Sequence, residues 1–299
     1  MNSCQKAFED DIGFDFVVNF ASETRSGHSD AVYEEGVYKL SINCAKEAAK
    51  QRVKRYVEIS SAEFECDSTT GLSESSPSLK PLTPLAKYKL KVENELKAIE
   101  NFNYIIVRPA LVYGIADRFS LMPRIIISCV YKHLNETMKL LWNKDLKLNT
   151  IHVQDLCSAV WLCCLNGKEG EVYNVVDTGD TTQGSLNHIL SDIFGIHCDY
   201  WGNNMSKIIV KTKGLDDLVE EINEKHMLGW SELCGKHGIR NTPITPYLYP
   251  EMLQNKSLCL NGDKLNGLGF SHKIPQMTKE LVLEIINDYV EMSLFPKIL

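Results

Sequence analysis

Three segments of the sequence decide the fold: Arg55-Tyr-Val-Glu-Ile-Ser-Ser61, Leu85-Ala-Lys-Tyr-Lys89 and Tyr104-Ile-Ile-Val-Arg-Pro-Ala-Leu-Val-Tyr-Gly114. The first and the third contain short runs rich in β-branched and aromatic residues, at 56–59 and 104–107. The segment between them has a helical pattern. Strand, helix and strand in this order are typical of a βαβ unit in a parallel sheet. The sequence therefore predicts an α/β fold.

Polar and loop-forming residues follow both predicted strands. Ser60 and Ser61 end the first segment, and Arg108 and Pro109 follow the apolar run of the third. In open α/β sheets the ligand crevice lies beyond the carboxyl ends of the strands. We therefore expect the site among these residues.

Composition excludes several classes of function. The chain has 299 residues and a net charge of −7, which gives no reason to expect nucleic acid or an anionic membrane as a partner. No apolar run approaches the roughly 20 residues of a membrane span. The ten cysteines form no CxxC pair and the histidines have no metal-ligand spacing, so neither zinc nor a disulfide scaffold is indicated. The first ten residues lack the apolar segment of a signal peptide. We predict a cytoplasmic protein without a metal.

The remaining pattern predicts further strands and helices. A strand is expected at 14–21 and helices at 37–50, 85–101, 121–141 and 278–292. A surface loop rich in Ser, Thr, Pro and Gly is expected at 67–84. Gln154 and Asp155 are predicted to cap a helix that follows them.

Landmarks in a constant order along the chain resemble those of the NAD-dependent epimerase/dehydratase family, the extended short-chain dehydrogenase/reductases. Besides Lys89 they are Asp15-Phe-Val-Val-Asn-Phe-Ala-Ser-Glu-Thr24, Ile59-Ser-Ser-Ala62, Arg108-Pro-Ala-Leu-Val-Tyr-Gly114, Ile151-His-Val-Gln-Asp155, Gly170-Glu-Val-Tyr-Asn174 and Leu265-Asn-Gly-Leu-Gly-Phe270. The resemblance implies a Rossmann-like parallel sheet. Residues 11–122 with 148–180 would form a truncated nucleotide-binding domain, and 123–147 with 181–299 a smaller substrate-type subdomain.

The same resemblance implies NAD or NADP as the cofactor and assigns roles to six residues. Ser61 would contact the reacting oxygen, and Lys89 the ribose next to the nicotinamide. The other cofactor contacts would be Phe20, Ala21, Ser22 and Pro109. Each assignment has a structural alternative: Ser61 could cap a turn, and Lys89 could be a solvated helix residue. Glu63 is predicted to be a surface carboxylate, and His152 a structural histidine beside Asp155.

The N-terminal part departs from the family. Members open with a strand and a GxxGxxG turn that binds the cofactor pyrophosphate, and this sequence contains no such motif. Its first strand matches the family's fourth, so about three strands and two helices are expected to be absent. The strand at 16–21 would then lie at a sheet edge, which would pair with another copy or partner, or leave the chain poorly soluble.

The catalytic helix departs as well. Family members carry a Tyr four residues before the Lys, and the Lys lowers the phenol pKa so that the Tyr can transfer a proton. Leu85 occupies that position here, and Tyr88 is expected to face another side of the helix. Tyr38 replaces an Asn on the preceding helix.

Two functions remain open. One is an impaired family member, a pseudoenzyme that acts as a binding or regulatory protein and could form a homo-oligomer. The other is an active oxidoreductase or epimerase that acts on a nucleotide sugar, or a truncated form of such an enzyme. Loss of a proton-transfer group costs about 10²–10⁴-fold in rate, which favours the first.

Overall fold

A computed structural model describes residues 4–8, 13–66 and 70–298. Two sequence-based predictions concern segments that the structure describes only in part. Residues 11 and 12 of the predicted first domain and residues 67–69 of the predicted surface loop lie outside the described residues.

The first half of the chain alternates strands and helices. In order these are a 3-10 helix (Cys4–Phe8), β1 (Phe16–Asn19), α1 (Asp30–Tyr33), a π-helical segment (Glu34–Lys39), α2 (Leu40–Lys50), β2 (Arg55–Ile59), α3 (Pro84–Leu96) and β3 (Tyr104–Pro109). Thr83 caps α3, because its Oγ1 accepts a hydrogen bond from the backbone N–H of Ala86. Pro84 takes the first helical position, where no N–H is needed. The predicted strand–helix–strand order is confirmed.

The second half is richer in helices. It contains β4 (Leu111–Tyr113), α4 (Met122–Leu134), β5 (Met138–Leu140), β6 (Thr150–His152), α5 (Val153–Asn166), β7 (Val172–Val175), α6 (Gln183–Phe194), β8 (Cys198–Tyr200), α7 (Gly202–Lys213), α8 (Leu215–Lys236), a 3-10 turn (Pro250–Leu253), α9 (Asp263–Asn266) and α10 (Lys279–Glu291). No helix in the described part of the chain combines the length and the hydropathy that crossing a membrane requires.

Three local predictions are wrong. The helix expected over 85–101 ends at Leu96. The helix expected over 121–141 ends at Leu134, because Asn135 adopts a left-handed conformation with φ of 53°, and β5 follows. Gln154 and Asp155 do not precede the helix that they were expected to cap, because α5 already begins at Val153. Asp155 lies buried inside α5, where its Oδ1 accepts a hydrogen bond from the backbone N–H of Lys273.

The largest sheet has four parallel strands in the order β1-β2-β3-β7. α2 and α3 pack on one face, where Ile42, Ala45, Val92 and Leu96 join Tyr56 in an apolar cluster. α5 packs on the other face, where Trp161 contacts Phe16 and the end of the helix lies beside Ile105. Helices on both faces of a parallel sheet make this a Rossmann-like α/β fold.

The chain divides into two compact units. Unit 1 comprises Met1–Ala110, Gln154–Asp177 and Leu258–Lys273, and it holds the four-stranded sheet. Unit 2 comprises Leu111–Val153, Thr178–Ser257 and Ile274–Leu299, and side chains of α4, α6, α8 and α10 build its core. The assignment of these units to cofactor and substrate binding stays a prediction.

β1 lies at one edge of the sheet. Among the strands of the described residues, it pairs with β2 alone. The predicted edge position is therefore confirmed for the part of the chain that the structure describes.

Candidate functional site

The predicted site residues of unit 1 gather at one end of its sheet. Phe20, Ala21 and Ser22 follow β1, Ser61 lies two residues after the end of β2, and Pro109 is the last residue of β3. Because these neighbouring strands are parallel, their carboxyl ends meet at the same side. This is where sequence reasoning expects the site.

Lys89 reaches the same place from α3. Its Nζ donates a hydrogen bond to the carbonyl oxygen of Ile59, the last residue of β2, at 2.6 Å. The Nζ also lies 3.1 Å from Oε1 of Glu58, with which it forms an ion pair. Lys89 is only 4% exposed and Glu58 is fully buried. Lys89 is therefore not a solvated helix residue.

The Glu58 carboxylate is held by three further donors. The side-chain amide of Asn19 and the phenol of Tyr56 donate to Oε2 at 2.8 and 2.7 Å, and the hydroxyl of Ser41 donates to Oε1 at 3.0 Å. We call Asn19, Ser41, Tyr56, Glu58 and Lys89 the Glu58 cluster. Its members come from β1, α2, β2 and α3, so it ties four elements together. A buried carboxylate is tolerated when its lone pairs are filled in this way.

The electrostatics of the Glu58 cluster keep its phenol protonated. Burial, and then the adjacent Glu58 carboxylate, raise the pKa of Tyr56 well above its ordinary value. Tyr56 therefore stays a hydrogen-bond donor to Glu58 and is not a base. Burial likewise raises the pKa of the neighbouring Cys44 thiol to about 11, so that this cysteine is not a nucleophile at neutral pH.

Leu85 and Tyr88 belong to a different cluster from Lys89. Leu85 packs beside Tyr33, Val37 and Tyr88. The Tyr88 ring is stacked on the Tyr33 ring, with centroids 6.1 Å apart. The phenol nearest to Lys89 in the sequence is thus engaged in aromatic packing, which agrees with its expected position on another side of α3.

Ser61 takes part in a local turn. Its Oγ accepts a hydrogen bond from the backbone N–H of Glu63 at 3.2 Å. Thr83 donates its hydroxyl to Oε2 of Glu63 at 2.8 Å, so this carboxylate is half-buried and bonded rather than a solvated surface group. The turn geometry fits the capping alternative for Ser61, and a catalytic role for Ser61 stays a prediction.

Arg108 forms the second buried ion pair of the site. Its Nε and Nη2 donate to the two carboxylate oxygens of Glu93 at 2.9 and 2.5 Å. Ser60 donates its hydroxyl to Oε1 of the same carboxylate at 2.5 Å. The guanidinium lies over the Phe64 ring, and Arg108 is 3% exposed. This two-pronged geometry fixes α3 to the ends of β2 and β3.

The residues after β1 differ in what they offer a ligand. Phe20 is 55% exposed, and the backbone N–H of Ala21 donates to Oδ1 of Asn19. The hydroxyl of Ser22 is buried and has no hydrogen-bond partner among the residues that the structure describes. Phe20, Ala21, Ser22 and Pro109 as cofactor contacts stay a prediction.

No metal centre is seen in the ranges 4–8, 13–66 and 70–298, which contain no cluster of three or more potential metal ligands. His152 of unit 2 is buried and packs edge-on against the Tyr113 ring at 5.1 Å. This environment agrees with the structural role expected for His152.

Sequence reasoning missed both buried acids, Glu58 and Glu93. One signal was available for each. Glu58 is a charged residue inside an apolar strand, which is rare unless the charge is paired. Glu93 follows Lys89 by four residues, so both lie on the same face of α3.

The sequence of this chain is similar to that of a known protein family. A sequence model of the NAD dependent epimerase/dehydratase family matches residues 1–176. No curated protein sequence matches the chain significantly.

Solved structures with the same fold are similar at low sequence identity. Pal from Bacillus thuringiensis has a TM-score of 0.67 at 15% identity, over 96% of this chain and 79% of Pal. The UDP-glucose 4-epimerase of Thermus thermophilus, solved with NAD, has a TM-score of 0.64 at 14% identity, over 96% and 80%. DesIV, a dTDP-glucose 4,6-dehydratase of Streptomyces venezuelae also solved with NAD, has 0.63 at 19% identity, over 93% and 73%. About a fifth to a quarter of each of these chains has no counterpart here.

Proposed function

Because the chain belongs to the NAD-dependent epimerase/dehydratase family, we propose that it is a catalytically impaired member that acts as a binding or regulatory protein. The observation that carries the proposal is the Glu58–Lys89 ion pair. The family resemblance assigns the Lys ammonium to a Tyr phenol and a ribose. Here Leu85 occupies the Tyr position, and the ammonium is held by a buried carboxylate and a backbone carbonyl.

The missing phenol should lower the rate of the reaction, because the phenol transfers a proton in the family. A positioned acid or base contributes about 10²–10⁴-fold to the rate. Leu85 stands in the Tyr position and has no phenol. The Tyr88 ring is stacked on Tyr33, so its phenol is not offered to the substrate either. Ser61 would remain as a hydrogen-bonding group without a proton donor beside it.

The described residues also do not fit the pyrophosphate of NAD or NADP. The turn between β1 and α1 contains a single glycine, Gly27. The short helix α1 carries Asp30 in its first turn, and Glu34 follows α1 directly. Dinucleotide sites use a glycine-rich turn and a helix N-terminus without acidic residues, whereas here the turn has one glycine and the helix starts with Asp30. The nicotinamide end, with Pro109 and Lys89, is the part of the cofactor for which contacts remain.

We expect this chain to bind NAD(H) and NADP(H) weakly or not at all. Calorimetric titration should give no saturation below about 1 mM. The matched control is Lys89→Met, which should leave the weak signal unchanged if no dinucleotide occupies the site. Micromolar affinity would contradict the proposal, and its loss in a Lys89→Met variant that circular dichroism shows to be folded would place a bound ribose at this lysine.

Restoring the phenol alone should not restore turnover. Leu85→Tyr supplies the missing acid, but hydride transfer also needs a bound carrier. We expect no NADH formation and no epimerised product when this variant is incubated with NAD and UDP-glucose or dTDP-glucose. Leu85→Phe is the control for ring size. Turnover in Leu85→Tyr but not in Leu85→Phe would show that the cofactor does bind.

The alternative function is an active oxidoreductase or epimerase on a nucleotide sugar, or a shortened form of one. Ser61 and Lys89 at the end of β2 favour it, as does the similarity to a UDP-glucose 4-epimerase and a dTDP-glucose 4,6-dehydratase. Product formation by the unmodified chain in the same assay would support this alternative.

A further inference from the structure

Arg124 is a half-buried cation of unit 2 whose partners are neutral. It is the third residue of α4, and its Nη1 donates hydrogen bonds to Oε1 of Gln183 at 3.2 Å and to Oδ1 of Asn187 at 3.4 Å. Both acceptors are amide oxygens. In the ranges 4–8, 13–66 and 70–298, Arg124 forms no ion pair. A charge removed from water is normally paired, as Arg108 is with Glu93, so Arg124 requires an explanation.

The two amides are fixed with their oxygens towards the guanidinium. Nε2 of Gln183 donates to the carbonyl oxygens of Leu141 and Asn143 at 2.9 and 3.2 Å. Nδ2 of Asn187 donates to the phenol oxygen of Tyr200 at 3.1 Å. Both amide side chains are buried, and their NH₂ groups are engaged elsewhere, so only their oxygens can face the cation. These amides therefore position the guanidinium and leave its charge unbalanced.

Among the residues that the structure describes, no acid balances this charge. Asp117, the acid that precedes α4, accepts hydrogen bonds from the backbone N–H groups of residues 119–121. The titratable groups that act on Arg124 are the phenol of Tyr200 and the thiol of Cys198. Burial raises the pKa of both, so they are neutral at pH 7. Burial also lowers the pKa of Arg124, which means that its charged form is costly here.

Hydrogen-bond donors beside the amides have no acceptor in the described part of the chain. Nε and Nη2 of Arg124 make no hydrogen bond there, and together they form the flat edge that binds a carboxylate through two parallel bonds. The Tyr200 hydroxyl accepts a bond from Asn187 and donates none. Its raised pKa keeps this phenol protonated. We call Arg124, Gln183, Asn187 and Tyr200 the Arg124 cluster.

We propose that the Arg124 cluster binds the carboxylate of a small organic acid. Such a group accepts two hydrogen bonds from Nε and Nη2 of Arg124 and a third from the Tyr200 hydroxyl, which Asn187 holds beside the guanidinium. Its single negative charge matches the single positive charge of the cluster. A phosphate monoester carries about −1.5 to −2 at pH 7 and would leave negative charge unbalanced in a half-buried site. The proposal concerns unit 2 alone and does not depend on the impaired site of unit 1.

The test is the thermal unfolding midpoint of the full chain in sodium acetate, compared with sodium chloride at pH 7 and equal ionic strength. A ligand that binds only the folded state raises the midpoint as its concentration increases. We expect acetate to bind with a Kd of about 1 mM, and sodium phosphate at least about tenfold more weakly. Arg124→Gln should weaken acetate binding at least about 30-fold, and Tyr200→Phe about tenfold. Arg118→Gln is the matched control in unit 2, because this exposed arginine also donates to a neutral carbonyl oxygen, and it should leave acetate binding unchanged.

Two further measurements separate binding from a structural tie between α4 and α6. Arg124→Lys keeps the charge but not the flat edge, so acetate should bind it at least about tenfold more weakly than the wild type. Circular dichroism would identify a variant that is unfolded, and Tyr200→Phe, which removes a single oxygen, keeps the test usable if Arg124→Gln does not fold. Equal midpoints in acetate and chloride, equal acetate binding by the wild type and Arg124→Gln, or tighter binding of phosphate than of acetate would overturn the proposal.

Discussion

Lys89→Met is expected to destabilise the protein by about 3–5 kcal/mol, because it leaves the fully buried Glu58 carboxylate without its cation. Three neutral donors would remain on Glu58, from Asn19, Ser41 and Tyr56. These hydrogen bonds fill lone pairs but cannot balance a charge in an apolar interior. For a chain of 299 residues the loss corresponds to a fall in Tm of roughly 5–8 °C.

A second substitution distinguishes the lost charge balance from lost packing. Glu58→Gln added to Lys89→Met removes both charges and keeps oxygen and nitrogen atoms that can bond to the same neighbours. We expect the double variant to recover most of the lost stability, since neutral replacement of a buried pair costs little. Thermal and urea unfolding of the wild type, both single variants and the double variant form a complete double-mutant cycle.

The same measurement bears on the role of Lys89. Lys87→Ala is the control on the same helix, because Lys87 forms an exposed ion pair with Asp30 that should contribute little. If Lys89→Met behaves like Lys87→Ala, then Lys89 is not part of a structural ion pair. The lysine would instead be available for a ligand, and the proposal of an impaired enzyme would lose its main support.

Arg108→Ala is expected to cost a similar amount, about 3–5 kcal/mol. Glu93 is 1% exposed and, among the residues that the structure describes, would retain only the hydrogen bond from Ser60. The guanidinium also packs over Phe64, so its removal leaves space beside that ring. The carboxyl ends of β2 and β3, where the candidate site lies, should then unfold locally before the rest of the sheet.

Two comparisons sharpen the Arg108 experiment. Arg108→Lys keeps the charge but loses the two-pronged geometry, so an intermediate stability is expected. Arg118→Ala removes an exposed arginine of unit 2 that donates a hydrogen bond to the backbone carbonyl of Pro243, and it should change the unfolding midpoint little. Hydrogen exchange would locate the effect: faster exchange of amides at Ile59 and Val107 is expected for Arg108→Ala. Unchanged exchange there would contradict a role for this pair in holding the strand ends.

Local patterns in the sequence were enough for the main elements. Apolar runs at 56–59 and 104–107 predicted β2 and β3, and the Thr83-Pro84 pair marks the start of α3. These signals depend on periodicity, on proline geometry and on side-chain capping, all of which act over a few residues. For the same reason the position of the site at the strand ends could be derived without coordinates. The end of α4 was missed although Asn135 is a residue type that often stops a helix in the left-handed conformation, because the apolar residues beyond it belong to β5 and extend the pattern.

By itself the sequence determined the α/β class, the parallel order of the first strands and the absence of a Tyr four residues before Lys89. The tertiary structure alone decided which group Lys89 meets. Glu58 is 31 positions away along the chain and Ser41 is 17 positions from Glu58. Such side chains come together only when strand register and helix packing are fixed. The pairing of Arg108 with Glu93, and of Phe16 with Trp161, has the same origin. Periodicity tells which face a residue occupies, whereas packing between elements decides which residue lies opposite.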